Sequence, residues 1–147
     1  MQEVSVIIPN FNGMAYLDGV LAGLECQTVD DFEVILVDNG SSDGSCAFVA
    51  ARYPWVHLIE LPENFGFCKA VNEGIRASRS PYVLLLNNDI EVTDNFIEEM
   101  TDAIKRHPKA FSCAARMIQF HDRDRLDDAG NYYCALGWAY ARGKGKD

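Results

Sequence analysis

Positive charge is scarce in this sequence: 13 Lys and Arg stand against 22 Asp and Glu, a formal net charge of −9 over 147 residues. There is no basic stripe and no Lys/Arg cluster interleaved with aromatics, so the electrostatic footprint a phosphate backbone requires is missing and nucleic acid is excluded as an expected partner. Long apolar runs are also lacking. None approaches the roughly 20 residues of a membrane-spanning helix, and Met1-Gln2-Glu3 leads straight into a strand pattern without a basic n-region or an apolar h-region. The expected location is cytoplasmic, and docking to the inner face of a membrane is compatible with that reading. The five cysteines are scattered and form no C-x-x-C pair, so they read as reduced, mostly core residues, not a disulfide framework. His57, His107 and His121 fit no zinc-ligand spacing. No Cys/His nucleophile pattern appears, and Asn10-Phe11-Asn12-Gly13 cannot supply the three glycines of a nicotinamide-binding loop.

A 48% hydrophobic content is enough for one core, so one domain with a frayed tail is expected. Val4 to Ile8 is a continuous β-branched run ended by Pro9, the pattern of a strand covered on both faces. Leu17, Val20, Leu21 and Leu24 then recur at helical spacing. Val34 to Val37, Val56 to Leu61 and Tyr82 to Leu86 read as further strands, and Phe111 to Ile118 as a fifth. Helices are expected over Ser45 to Arg52, from Phe67 to Ile75, and from Asp94 to His107, the last stopped by Pro108. Strands alternating with helices imply βαβ units, and hence an α/β, Rossmann-like, mostly parallel sheet with helices on both faces. From His121 onward the pattern dissolves into charge, glycine and aromatics, as in an exposed loop.

Ligands of open α/β sheets bind beyond the carboxyl ends of the strands. The residues following the first four strands are Pro9-Asn10, Asp38-Asn39, Pro62-Glu63-Asn64 and Asn87-Asn88-Asp89. Each edge offers carboxylate or amide groups suited to hydroxyls, ring N–H groups and a metal. An acidic protein that binds an anionic small molecule needs backbone amides, helix N-termini or a recruited cation to do so.

VSVIIPNFNG, VILVDNGSSDGS, NFGFCKAVNEGI and YVLLLNNDIEV, in this order, resemble glycosyltransferase family 2 over roughly residues 3 to 143. LLNND followed by Asp127-Asp128-Ala129-Gly130-Asn131 is similar to rhamnosyltransferase-like and other cell-surface polysaccharide enzymes. The resemblance implies a GT-A nucleotide-diphospho-sugar transferase fold. Residues 1–120 would form the nucleotide-sugar-binding domain, and residues 121–147 a loop-rich start of an acceptor side that is largely missing. It further implies inverting transfer from a nucleoside diphosphate sugar (UDP- or dTDP-linked) to a saccharide or lipid-linked acceptor.

Pro9 and Asn10 are then placed on the donor. Asp38 becomes a base or ribose contact, with an Asx-turn role as the alternative. Asp43, beside Gly44 before a helix, reads as a cap or turn residue. Asn87-Asn88-Asp89 occupies the place of the family's D-x-D motif with an amide at its first acidic position. Asp89 would ligate Mg²⁺ or Mn²⁺ on the diphosphate, Asn87 would meet ribose or sugar hydroxyls, and Asn88 belongs to the same nucleotide-sugar-binding set. An unscreened carboxylate about 5 Å from a phosphate charge is repelled by roughly 3 kcal/mol at an effective dielectric near 20, which is why a cation is expected.

Asn64 and Gly66 shape the turn at the nucleotide, and Phe67 reads as core. Many members carry Arg before the second Asn of this stretch, where Val71 stands here. Lys69 is the nearest cation and is assigned to a phosphate, with a solvated lysine as the alternative. No catalytic base is assigned. In relatives it is a carboxylate further downstream, and Asp127 and Asp128 are not taken for it. Tyr132, Tyr133, Leu136, Trp138 and Tyr140 are candidates for orphan apolar surface, so self-association is expected. A non-catalytic nucleotide-sugar-binding module is the alternative function. A nucleotidyltransferase would want a Gly-rich basic loop after the first strand, and none is present.

Overall fold

The computed structural model describes residues 2–135 and 139–146. Contacts divide the chain into two compact units, Met1–Thr101 and Asp102–Asp147. In the first unit, β1 (Val4–Asn10), α1 (Met14–Glu25), β2 (Phe32–Asp38), α2 (Ser45–Arg52), β3 (His57–Glu60), α3 (Phe67–Ala77) and β4 (Tyr82–Leu85) alternate, and α4 (Phe96–Arg106) begins. The strands form one parallel sheet in the order β3-β2-β1-β4.

The β-branched runs form the central strands because successive side chains alternate between faces and both faces are covered. Val4, Val6 and Ile8 of β1 and Val34 and Leu36 of β2 meet the α1 stripe Leu17, Val20, Leu21 and Leu24, together with Val49 and Tyr53 of the α2 region and Ile97 of α4. Ile7, Ile35 and Val37 point the other way and pack with Ala70 of α3. Helices therefore lie on both faces, as expected. Gly74 lets α3 sit close: a Cβ there would overlap Ile7 Cγ2 and lie 3.2 Å from Val37 Cγ2. At full burial each such Val, Leu or Ile contributes about 1.5–3 kcal/mol. Tyr53, fully buried, donates its hydroxyl to Asp18 Oδ1 at 2.6 Å, so its polar end is satisfied.

The second unit holds β5 (Met117–Ile118) paired antiparallel with β6 (Leu126–Asp128), and β7 (Asn131–Tyr133) paired antiparallel with β8 (Ala139–Ala141). The fifth parallel strand expected over Phe111 to Ile118 does not form. Only its last two residues pair, in a separate two-stranded sheet, and Phe111 is fully exposed. The stretch is apolar in letters, but too little of it is backed by a neighbouring strand or helix to hold an extended conformation. Of the candidate orphan aromatics, Tyr132 is half exposed. Leu136 and Trp138 lie outside the described residues, as do the side chains of Tyr133 and Tyr140.

Candidate functional site

Two sets of side-chain hydrogen bonds join the carboxyl ends of the four parallel strands. Register sets Asn10 opposite Asp38. Asn10 Nδ2 donates to Asp38 Oδ1 at 2.8 Å and also to Ser41 Oγ at 3.3 Å. The Ser41 N–H donates to Asp38 Oδ2 at 2.8 Å. On the other side of β1, Asn88 Nδ2 donates to Asn10 Oδ1 at 2.7 Å. The tip of β2 and the loop after β4 are thus linked through Asn10, across the one strand between them. At about 4.8 Å per strand the ends of β2 and β4 stand roughly 10 Å apart.

A second set of amides ties β2 to the loop after β3. Asn39 Nδ2 donates to Asn64 Oδ1 at 2.9 Å, while Asn39 Oδ1 accepts the Phe65 N–H at 3.0 Å and Asn64 Oδ1 also accepts the Gly66 N–H at 2.9 Å. Gly40 is required at this crossing. Its φ is +79°, and a Cβ would stand 2.6 Å from the Glu63 Cα. The loops after β1 and β2 are stitched as well: the Asn12 N–H donates to Ser41 Oγ at 2.8 Å and Asn12 Oδ1 accepts the Ser42 N–H at 2.9 Å. Asp43 caps two helices at once. It accepts the Met14 N–H of α1 at 2.9 Å, and it accepts both the N–H (3.0 Å) and the hydroxyl of Ser45 at the start of α2. The cap reading of Asp43 is what the structure shows.

Asn10, Asp38 and Asn39 are buried, at 1%, 2% and 4% exposure. Burial works to raise the Asp38 carboxyl, but the hydrogen bonds from Ser41, Asn10 and Cys46 outweigh it and hold the group below its ordinary value. The Cys46 thiol, facing that carboxylate and Glu60, is pushed up to about 12, first by burial and then by the bond to Asp38. Among the described residues, no buried side-chain polar atom lacks a partner. The network is therefore preorganised without a ligand.

Beside these amides lies a cavity of about 140 Å³ lined by Pro9, Asn10, Phe11, Asn39, Asn64, Phe67 and Ala70. Phe11 is 48% exposed and Phe67 59%, so Phe67 belongs to the cavity rim and not to the core where the sequence had put it. A larger hollow at the end of α4, lined by Arg106 to Ala110, comes from one continuous stretch of chain and brings no distant groups together. The structure thus gathers Pro9, Asn10 and Asn64 at the cavity, with Asp38 and Asn88 both hydrogen-bonded to Asn10. Asn87 and Asp89 are exposed on the β4 loop. Lys69 lies on α3, where Glu73 holds it in an ion pair at 2.6 Å. Asn39 was named in the sequence among the strand-tip groups without being given a role of its own; its place directly after Asp38 was the available signal. In the second unit, Asp127 pairs with Lys144 at 3.5 Å and Asp128 accepts the Gly130 N–H at 2.8 Å.

Among the described residues, no cluster of three or more His, Cys, Asp or Glu could hold a metal by itself. A lone exposed carboxylate such as Asp89 fits a hard cation that keeps most of its waters or takes ligand oxygens, and does not fit a closed protein cage. No helix among the described residues is long and apolar enough to cross a membrane.

The family model described as "Glycosyl transferase family 2" matches residues 5–145. A cholesterol galactosyltransferase of Borreliella burgdorferi is 29% identical over 121 residues, 80% of this chain and 34% of that protein. An N-acetylglucosaminyl-diphospho-decaprenol L-rhamnosyltransferase of Mycobacterium tuberculosis is 30% identical over 116 residues, 71% of this chain and 38% of that protein. Among solved structures, S. aureus TarS 1-349 in complex with UDP-GlcNAc superposes with a TM-score of 0.66 at 25% identity, covering 73% of this chain and 32% of that one. The mannosyltransferase PcManGT of Pyrobaculum calidifontis, in complex with GDP-Man and Mn²⁺, gives 0.62 at 25%, covering 70% and 31%. The chain spans about a third of the length of these relatives. The four strand-tip motifs thus sit on the parallel sheet of a GT-A fold, and the family match runs through both units: the chain belongs to glycosyl transferase family 2.

Proposed function

We propose that this chain is the donor-binding part of an inverting glycosyltransferase, taking a UDP- or dTDP-linked sugar for transfer to a saccharide or lipid-linked hydroxyl in cell-surface polysaccharide synthesis. The observation that carries the reading is the cavity at the strand tips, which the exposed Phe11 and Phe67 line together with Asn10, Asn39 and Asn64. Flat apolar rings suit a nucleobase, and amides suit its polar edge and the ribose hydroxyls. Asp38 orders the loop behind the cavity, and its carboxylate is the group suited to an imide N–H if the loop opens toward a base.

The transfer forms a bond from the acceptor oxygen to the anomeric carbon, on the face opposite the diphosphate. The carbon–oxygen bond to the diphosphate breaks, its electron pair leaves with the diphosphate, and the acceptor proton passes to a base. Asp89 would hold Mg²⁺ or Mn²⁺, whose charge would offset that of the departing diphosphate. Asn87 and Asn88 offer hydrogen bonds to ribose or sugar hydroxyls, and Lys69 lies on the helix that borders the cavity. No residue of these 147 is assigned as the acceptor base. Asp127 and Asp128 are each engaged within the second unit.

Isothermal titration with UDP, dTDP and GDP, with and without Mn²⁺, tests the reading. Binding of at least one nucleotide, weakened by Asp89→Ala only when Mn²⁺ is present, is expected. Equal response to Mn²⁺ in wild type and Asp89→Ala would remove Asp89 from the metal. Turnover of nucleotide sugars with simple acceptors is expected to stay at slow donor hydrolysis, since a positioned base contributes about 10²–10⁴-fold. Rapid transfer by this chain would place the base within it and return Asp127 and Asp128 to consideration. A cytoplasmic location at the inner membrane face belongs to the same proposal, and co-sedimentation with vesicles of anionic phospholipid would test it.

A further inference from the structure

Three polar side chains form a one-way donor chain across the sheet edge: Asn88 Nδ2 donates to Asn10 Oδ1 at 2.7 Å, and Asn10 Nδ2 donates to Asp38 Oδ1 at 2.8 Å. Its direction is forced. An ionised carboxylate only accepts, so Asn10 must turn its NH₂ toward Asp38 and its oxygen toward residue 88, and residue 88 must then donate. Asn88 satisfies this, whereas an Asp there would set a carboxylate against the Asn10 oxygen. Gly13 leaves the room: a Cβ on it would overlap both Asn88 Nδ2 and Asn10 Oδ1. Asn10 is 1% exposed, so no water competes for its amide.

We propose that Asn88, acting through Asn10, is a positioning residue that couples the two halves of the donor site, the loop ordered by Asp38 and the loop bearing Asp89. This inference rests on the donor-site reading above. Asp89 follows Asn88 directly, so anchoring the Asn88 side chain to the sheet fixes the backbone from which the Asp89 carboxylate projects. A nucleotide that perturbs Asp38 is felt at Asn88, and an ion that pulls on Asp89 is felt at Asp38. Serial amide bonds in a buried setting polarise one another, which strengthens the link while all members are in place. Coupling between sites is reciprocal: the factor by which the ion tightens nucleotide binding equals the factor by which the nucleotide tightens ion binding.

The test is titration of UDP, dTDP and GDP into the full chain with and without Mn²⁺, reading the ratio of the two dissociation constants. Asn88→Ala and Gly13→Ala break the same link from opposite sides. Each is expected to lower the Mn²⁺ enhancement by at least about 5-fold, the lower end of typical couplings, and the double variant is expected to go no lower than either single one. A metal-free readout stands beside it: nucleotide added without metal is expected to shift the Asn88 side-chain amide resonances in wild type, and not in Gly13→Ala. An unchanged Mn²⁺ enhancement in both variants, with normal binding by wild type, overturns the positioning role and leaves the donor site intact. Failure of wild type to bind any of the three nucleotides overturns the donor site and this inference together.

Discussion

Asn10 and Asp38 face each other at the last paired position of β1 and β2, and the Asn10 amide donates to the Asp38 carboxylate at 2.8 Å in a setting that leaves Asp38 2% exposed. One backbone register thereby decides the electrostatics of the site. Slipping β1 by a single residue would turn Asn10 to the other face of the sheet and leave a buried carboxylate without one of its donors.

The first prediction follows from that pair. Burial works to raise the Asp38 carboxyl, but its hydrogen bonds from Ser41, Asn10 and Cys46 prevail and lower it from 3.8. With the folded value depressed, the stabilisation is present above the unfolded value and is lost as pH falls through the folded one. Asp38→Asn is expected to cost about 1–3 kcal/mol at pH 7, because donors aimed at the carboxylate would meet an NH₂. In urea titrations, the gap between wild type and variant is expected to narrow as pH drops below about 4. A gap that stays constant through that range would mean that Asp38 is not held below its ordinary value.

The second concerns close approach. Gly74→Ala sets a methyl against Ile7 Cγ2 under α3, and Gly40→Ala sets one 2.6 Å from the Glu63 backbone at a φ of +79°. Overpacking of this kind costs about 1–3 kcal/mol, and Gly40 carries left-handed backbone strain in addition. Chemical denaturation is expected to rank Gly40→Ala as more damaging than Gly74→Ala. The Glu63 clash is with backbone that cannot rotate away, whereas the Ile7 side chain has other rotamers. The reverse ranking would show that the loop after β3 yields more easily than the helix–sheet contact.

The parallel sheet was legible because its central strands are buried on both faces, and that leaves unbroken β-branched runs such as Val4 to Ile8. The strand-tip residues were legible for a related reason: they follow those runs directly. What escaped was whatever depends on a partner distant in sequence. Phe111 to Ile118 has the letters of a strand but no parallel neighbour, so only Met117–Ile118 pairs. Strands of three residues such as β6 and β7 are too short to show a period. Phe67 sits at helical spacing with Ala70 and Val71 and so reads as core, yet at the first position of α3 it lines the strand-tip cavity and is 59% exposed. The Asn39–Asn64 bond joins residues 25 apart, and no local pattern announces it.

The third prediction uses thiol chemistry as a probe of the same network. Burial, and then the bond to Asp38, push the Cys46 thiol up to about 12. The reactive thiolate is therefore far scarcer than at an ordinary cysteine. Mass-spectrometric mapping of iodoacetamide labelling at pH 8 is expected to show Cys26 and Cys68, both exposed, modified long before Cys46. Asp38→Asn is expected to speed Cys46 labelling by removing the facing charge. Labelling of Cys46 at the rate of Cys68 in wild type would contradict the contact with Asp38.

The last prediction concerns Lys69, which was assigned to a phosphate and which the structure shows paired with Glu73 at 2.6 Å, Glu73 also holding Arg76 at 3.0 Å. The lysine first lowers the Glu73 carboxyl through its hydrogen bond, and Arg76 adds to the effect, so Glu73 stays ionised at neutral pH. An exposed i,i+4 pair on a helix is screened by solvent and holds its partners only weakly, while a diphosphate offers more charge than one carboxylate. Lys69 can therefore be drawn from Glu73 to a bound nucleotide at little cost. If it is, Glu73→Gln is expected to strengthen UDP or dTDP binding by about 2-fold, since the competitor is gone. Lys69→Ala is expected to weaken it, and the Glu73→Gln gain should vanish in the Lys69→Ala background. Higher salt is expected to shrink both effects, because the groups are exposed and screened. Affinities unchanged in both single variants would leave Lys69 as a surface residue that stabilises α3 through Glu73, and the donor phosphates would then rest on backbone amides and the metal alone.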